Sequence, residues 1–128
     1  MIVVDTSAIV AILLGEPEAA VLRVRIATED DVRISAVTDY EARLIAFHRQ
    51  QAPLLADYER LIEDWVVEAF DQKQSALAFA GYRRYRRGNH PARLNFADCA
   101  AYALAKSLDA ALVFKGADFA QTDVRVGS

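Results

Sequence analysis

Four acids stand where the chain could do chemistry: Asp5, Glu41, Asp98 and Asp118. Asp5 follows the apolar run Ile2-Val3-Val4. Glu41 falls in the first turns of the helix after a short second strand, Val32-Arg33-Ile34, Asp98 in the first turn of a helix opening near Asn95, and Asp118 beyond the apolar run Ala111–Phe114. His48 and His90 are isolated and Cys99 is the single cysteine, so no nitrogen or sulfur cluster competes for a metal. An all-oxygen donor set suits hard divalent cations such as Mg²⁺ or Mn²⁺. Carboxylate-held metals in turn suit phosphodiester hydrolysis, where one ion activates the attacking water and another steadies the leaving oxygen. Each acid also has a structural reading. Asp5, Thr6 or Ser7 can cap the next helix. Thr38-x-x-Glu41 matches a capping box and Asn95-x-x-Asp98 resembles one. Asp118 can be a turn residue. An acid in a helix's first turn complements the dipole by about 0.3–1 kcal/mol.

The elements around these acids decide which reading holds. Ile2–Val4 is apolar at every position, as in a parallel sheet covered on both faces. Helices are expected over 8–14, 18–28, 35–50 and 54–65, with a turn at Gln51-Ala52-Pro53 that makes the third and fourth a hairpin. Further helices are expected over 75–87, with Ala76, Leu77, Phe79 and Ala80 inward, and over 95–108, with Phe96 on its core face. Strands are expected at 32–34, 66–70 and 111–114, and marginally at 124–126. Strands alternating with helices imply parallel βα units. The expected fold is thus α/β: a parallel sheet of four to five strands between helices, in three layers. In such a sheet ligands bind at the carboxyl ends of the strands. Asp98 joins the other acids there only if its helix runs antiparallel to the fourth strand and starts near that edge. Periodicity leaves this open.

With 128 residues and 54% hydrophobic content the chain suits one domain, residues 1–128, and is too apolar for disorder. No apolar run is long enough for a membrane span and no secretory signal is evident, so no membrane partner is expected and the expected location is the cytoplasm. Net charge is −3, so any nucleic-acid contact must come from a local patch. Tyr82–Arg93 supplies one: Arg83, Arg84, Arg86 and Arg87 interleave with Tyr82 and Tyr85, a composition suited to phosphates and stacked bases. The same arginines would also suit a solvated helix C-terminus.

The segments Met1–Ala8, Ser35–Arg43, Leu94–Ala105 and Phe114–Asp123 resemble the successive motifs of PIN domains, most closely those of VapC-type toxins of bacterial toxin–antitoxin pairs. Each motif is weak alone; four in order, across nearly the whole chain, are specific. The resemblance implies a Mg²⁺- or Mn²⁺-dependent endoribonuclease, a homodimer, and a small antitoxin that blocks the site. It also implies that Asp98 sits on the metal side. By position Asp5, Glu41, Asp98 and Asp118 match the family's acidic quartet, and Asp123 matches a further acid of the last motif. Ser7 and Asn95 would orient carboxylates or metal-bound water. Ala97 and Ala117 depart from the family pattern, which often has Gly at the first position and Asn or Asp at the second.

Two other classes compete. A binding module could use the same edge without catalysis, although packed like charges would gain it nothing. A phosphoryl-transfer enzyme could use Asp5 as nucleophile, but Ser7 replaces the second acid of the Asp-x-Asp start common there. A further expectation is that part of the hairpin Ser35–Trp65, with Phe47, Leu54, Leu55, Tyr58 and Ile62, forms a groove for an antitoxin helix.

Overall fold

The computed structural model describes residues 1–49 and 54–127. The expected turn at Gln51-Ala52-Pro53 and the expected helix end at Gln50 lie outside them. Four strands, β1 (Ile2–Val4), β2 (Val32–Ser35), β3 (Val66–Glu68) and β4 (Ala111–Val113), form one sheet in the order β3-β2-β1-β4, parallel throughout. The expected fifth strand is reduced to a single bridge between Leu112 and Val126. Asp123 is tied elsewhere, and only the last residues before Gly127 reach the ladder, where the Gly127 amide donates to Leu112 O at 2.8 Å.

Alternation along β1 explains the three layers. Ile2 and Val4 pack with α1 (Thr6–Leu13), α2 (Ala19–Ala27), α3 (Ala36–His48) and α4 (Leu54–Leu61). Val3 points to the opposite face, into the cluster formed with α5 (Gln72–Tyr85) and α6 (Phe96–Leu108). Period-two side chains thus serve two helical layers from one strand. Among the described residues no helix is long and apolar enough to cross a membrane.

Several boundaries move for identifiable reasons. α1 begins two residues early because Asp5 itself is the cap, accepting from the Ser7 amide at 2.9 Å. α3 is capped by Ser35, whose Oγ accepts from the Val37 amide at 3.1 Å. Thr38 is therefore inside the helix, and the Thr38/Glu41 capping box is not formed. α4 ends at Leu61 because the chain must turn into β3, with the Trp65 amide closing a turn onto Ile62 O. Leu54, Tyr58 and Ile62 keep their inward stripe.

α5 starts at Gln72, three residues before expectation, since the Asp71 carboxylate caps it by accepting from the Gln74 amide at 2.9 Å. Its inward face is also different. Gln74, Ala78, Gly81 and Tyr85 are buried, while Ala76 and Ala80 are exposed and Phe79 is 62% exposed. The small residues let α5 lie close against α6. A Cβ at Gly81 would fall 2.6 Å from Cδ1 of Tyr102. Phe96, expected inward, is 79% exposed, while the alanines behind it form the core face of α6.

The close approach gives a stability prediction. Gly81→Ala should destabilise the protein by about 1–3 kcal/mol, because Tyr102 is held by its hydroxyl and its ring cannot swing away freely. Urea unfolding measures this, and an unchanged midpoint would show that the ring yields at no cost.

Candidate active site

α6 settles the open question about Asp98. Its last turn hands the chain directly to β4, with the Ala110 amide bonded to Ala105 O at 3.0 Å. The end of α6 thus meets the start of β4, and the start of α6 must lie at the carboxyl edge of the sheet. Asp5 ends β1 at that edge, where its amide donates to Val113 O of β4 at 2.9 Å. Asp118 follows β4 at the entrance to a short 3₁₀ turn, Phe119–Gln121. Glu41 lies on α3, which starts at the same edge after β2.

Electrostatics shows that the four acids feel one another. The Asp5 carboxyl, 3% exposed, is pushed up to about 7, first by burial and then by the charges of Asp98 and Glu41, against the opposing bonds from Ser7. Asp98 is also raised, by burial first, with the charges of Glu41 and Asp118 adding to it. Among the described residues, none of the four acids has a lysine or arginine at ion-pair distance. Asp31, Asp39, Asp57 and Glu68, by contrast, are each paired with an arginine. The protein pairs many of its surface acids and leaves this group without a cation.

Capping and clustering turn out to be compatible. Asp5 caps α1 through one oxygen. Asn95 and Asp98 form a reciprocal capping box, each side chain accepting from the other's amide, at 2.9 and 3.0 Å. In each case the bonds that fix the carboxylate are local, so the helix start doubles as a mount for the acid. Among the described residues, no three histidine, cysteine or acidic side chains stand closed around a point as an ion-ready cage. A set of carboxylates that is not closed into a cage fits Mg²⁺, which retains several waters. The donor set is all oxygen and uncompensated, and it fits a hard divalent cation.

The remaining residues separate. Ser7 joins two parts of the edge: its amide donates to Asp5 and its Oγ accepts from the Lys115 amide at 3.0 Å. Lys115 Nζ is engaged by Glu16 and Glu18, at 3.0 and 3.2 Å. Asp123 does not face the cluster; its carboxylate is bound by Tyr102 and Lys106 of α6. Sequence reasoning missed Tyr102 and Lys106, although their four-residue spacing from Asp98 places all three on one stripe of α6. It also missed Thr38, fully buried on α3 with no hydrogen-bond partner for its hydroxyl. Cys99 is buried.

The arginines cluster at the last turn of α5, where it meets the start of α6. Leu94 bonds back to Tyr85 and Arg87, so the intervening loop is short and tied down. Arg83 lies over Phe79 and Arg86 over Tyr82, each at 5.9 Å, and Arg84 over Tyr85 at 5.0 Å. None of Arg83, Arg84, Arg86 or Arg87 has a carboxylate partner among the described residues. Arg87, Asn95 and Phe96 line the same cavity of about 540 Å³ between α5 and α6.

A four-stranded parallel sheet with this acidic edge is the arrangement of a PIN domain, and the PIN-domain family model matches residues 2–125. Ribonuclease VapC42 of Mycobacterium tuberculosis is 42% identical over 126 residues, covering 96% of each chain. Ribonuclease VapC28 of the same organism is 40% identical over 126 residues, covering 96% of this chain and 95% of its own. The chain belongs to the PIN-domain family, within its VapC ribonuclease branch. Among solved structures, VapC20 of M. tuberculosis, described as a sarcin–ricin loop cleaving toxin, superposes with a TM-score of 0.79 at 17% identity. It covers 97% of this chain and 96% of its own, and at that identity it shows the shared fold.

Proposed function

We propose that this protein is the ribonuclease toxin of a toxin–antitoxin pair, a single domain over residues 1–128 that cleaves RNA with Mg²⁺ or Mn²⁺ in the cytoplasm. The observation that carries this reading is the group of mutually repelling carboxylates at the sheet edge, left without a cation in a chain that pairs many of its other acids. Membership of the VapC branch supports it. Asp5, Asp98 and Asp118 would hold the ion most directly, and Glu41 would hold a second ion or its water. When bound, the metal supplies an activated water and charge stabilisation for in-line attack at phosphorus. The chain's own part is positional. Ser7 steadies Asp5 and the start of the Asp118 loop, and Asn95 fixes Asp98 through the capping box. No side chain need act as a covalent nucleophile. A pure binding module would gain nothing from this unpaired charge.

RNA must approach an acidic edge that repels it, and the arginines at the end of α5 would offset that repulsion. Replacing Arg83, Arg84, Arg86 and Arg87 with Ala should weaken RNA binding and flatten its salt dependence. The log–log slope should fall by about 0.7 for each phosphate no longer neutralised. Filter binding across a salt series measures it, and an unchanged slope would assign these arginines to another surface.

The antitoxin surface is narrower than the sequence suggests. Leu54, Tyr58 and Ile62 are buried in the monomer and Leu55 is partly covered, while Phe47 is 67% exposed. Tyr40 and Leu44 are also exposed and share its face of α3. That stripe, one residue away from Glu41, is the part of the hairpin we assign to an antitoxin helix, and a second copy of the chain completes the proposed homodimer. Cleavage of RNA by the purified protein with Mg²⁺, and its loss in excess EDTA, tests the activity directly.

A further inference from the structure

The loop that carries Asp118 is fastened at three points. At its start the Lys115 amide donates to Ser7 Oγ at 3.0 Å. In its middle Phe119, 3% exposed, plugs into the core beside Phe114, with ring centroids 5.3 Å apart. At its end Asp123 spends both carboxylate oxygens on α6. The Tyr102 hydroxyl donates to Oδ1 at 2.9 Å, and Lys106 Nζ lies 3.1 Å from Oδ2. Asp98, Tyr102 and Lys106 recur every four residues, so the loop is laid along the stripe that begins with Asp98.

We propose that Asp123 is a positioning residue: clamped by Tyr102 and Lys106, it holds the loop against α6 so that Asp118 stays within reach of Asp98, and it does not bind the ion itself. This rests on the metal site proposed above and assigns that site a support it would otherwise lack. Two further observations agree. Burial opposes ionisation of Asp123, yet Tyr102 and Lys106 hold its carboxyl below the usual range, so the carboxylate is already satisfied. The Tyr102 ring packs on Gly81, which ties the clamp to α5 as well. Asp118 itself is exposed and its side chain makes no capping bond, so nothing local to it sets its direction. Its place has to come from the fastenings on either side.

The test is Mn²⁺ binding, measured by calorimetry on wild type, Asp123→Asn, Tyr102→Phe and Lys106→Met, each alone and in an Asp118→Asn background. Asp123→Asn should weaken Mn²⁺ about tenfold, the scale seen when a hydrogen bond supporting a metal ligand is removed. Tyr102→Phe and Lys106→Met, which remove no carboxylate, should each reproduce part of that loss. With Asp118 already changed to Asn, none of the three should weaken binding further, since residues acting through one another are not additive. Lys106→Met alters a partly exposed pair and keeps the test valid should a Tyr102 variant fold poorly. Weakened binding in Asp123→Asn alone, with Tyr102→Phe and Lys106→Met at wild-type affinity, would make Asp123 a ligand and overturn the proposal. Lower melting temperatures with unchanged Mn²⁺ affinity would overturn it too, leaving the clamp merely structural. Additive losses in the Asp118→Asn background would do the same. A wild-type protein that binds no Mn²⁺ would instead overturn the metal site, and the clamp's role with it.

Discussion

Asp5→Asn and Asp98→Asn should each lower Mg²⁺-dependent RNA cleavage by more than about 100-fold, beyond the loss usual for a residue that only supports a metal ligand. Both variants should remain folded. Asn accepts a hydrogen bond as Asp does and is an equally good cap, so the bonds to the Ser7 and Asn95 amides can persist. What is lost is the charge. Cleavage of a labelled RNA under single-turnover conditions, with circular dichroism as the folding control, measures the effect. Full activity in both variants, or activity unaffected by excess EDTA, would rule out the metal reading. Partial loss in Asp5→Asn with full loss in Asp98→Asn would still support it, with the ion centred nearer α6.

The second large effect is on stability, and it runs in the opposite direction. Metal-free Asp5→Asn should be more stable than wild type at pH 8. Asp5 is buried, and its carboxyl is raised from 3.8 to about 7. The folded protein therefore holds that proton more tightly than the unfolded chain. Below pH 4 both states are protonated and Asp5 costs nothing. As pH rises from about 4 to 7 the unfolded chain ionises first, and wild type steadily loses stability relative to the variant. Above pH 7 the cost is complete, on the order of 4 kcal/mol for the whole shift. The melting temperature of Asp5→Asn should exceed that of wild type by several degrees at pH 8 in EDTA, and the gap should close by pH 4. Adding Mg²⁺ should stabilise wild type by mass action and narrow the gap at pH 8, since the variant lacks the charge that binds it. Thermal melts at three pH values, with and without metal, give the full set. A variant less stable than wild type at every pH would mean that the carboxylate is compensated in the fold and that the cluster carries no strain.

The strain concentrates at the buried acids. Asp118 is exposed, and solvent screens its charge. Burial is the largest influence on both Asp5 and Asp98. Burial comes from packing, which no local pattern states.

Much of the architecture was legible in the sequence. The stretches at residues 2–4, 32–34, 66–70 and 111–114 marked the four strands; the first and last are apolar at every position, as a strand covered on both faces requires. Asn95-x-x-Asp98 named its cap, since the capping box is a local hydrogen-bond exchange with a fixed spacing. The order of motifs Met1–Ala8, Ser35–Arg43, Leu94–Ala105 and Phe114–Asp123 carried the family, as the match over residues 2–125 bears out. These readings succeeded because they depend on residues close in the chain.

Tertiary structure decided what depends on contacts between distant segments. It set which face of α5 turns inward: Gly81 and Ala78, which admit Tyr102 and α6, prevailed over the more hydrophobic Phe79. It left the Thr38/Glu41 capping box unformed, because Ser35 caps α3 and Thr38 is buried inside the helix. It turned Asp123 from the metal edge onto Tyr102 and Lys106, and it left Val124–Val126 with one bridge instead of a strand. The acids themselves were visible from their positions. That four negative charges share one sheet edge, with no positive partner among the described residues, follows only from the folded chain. Separations of tens of residues become neighbours there, and burial sets the energy of each charge.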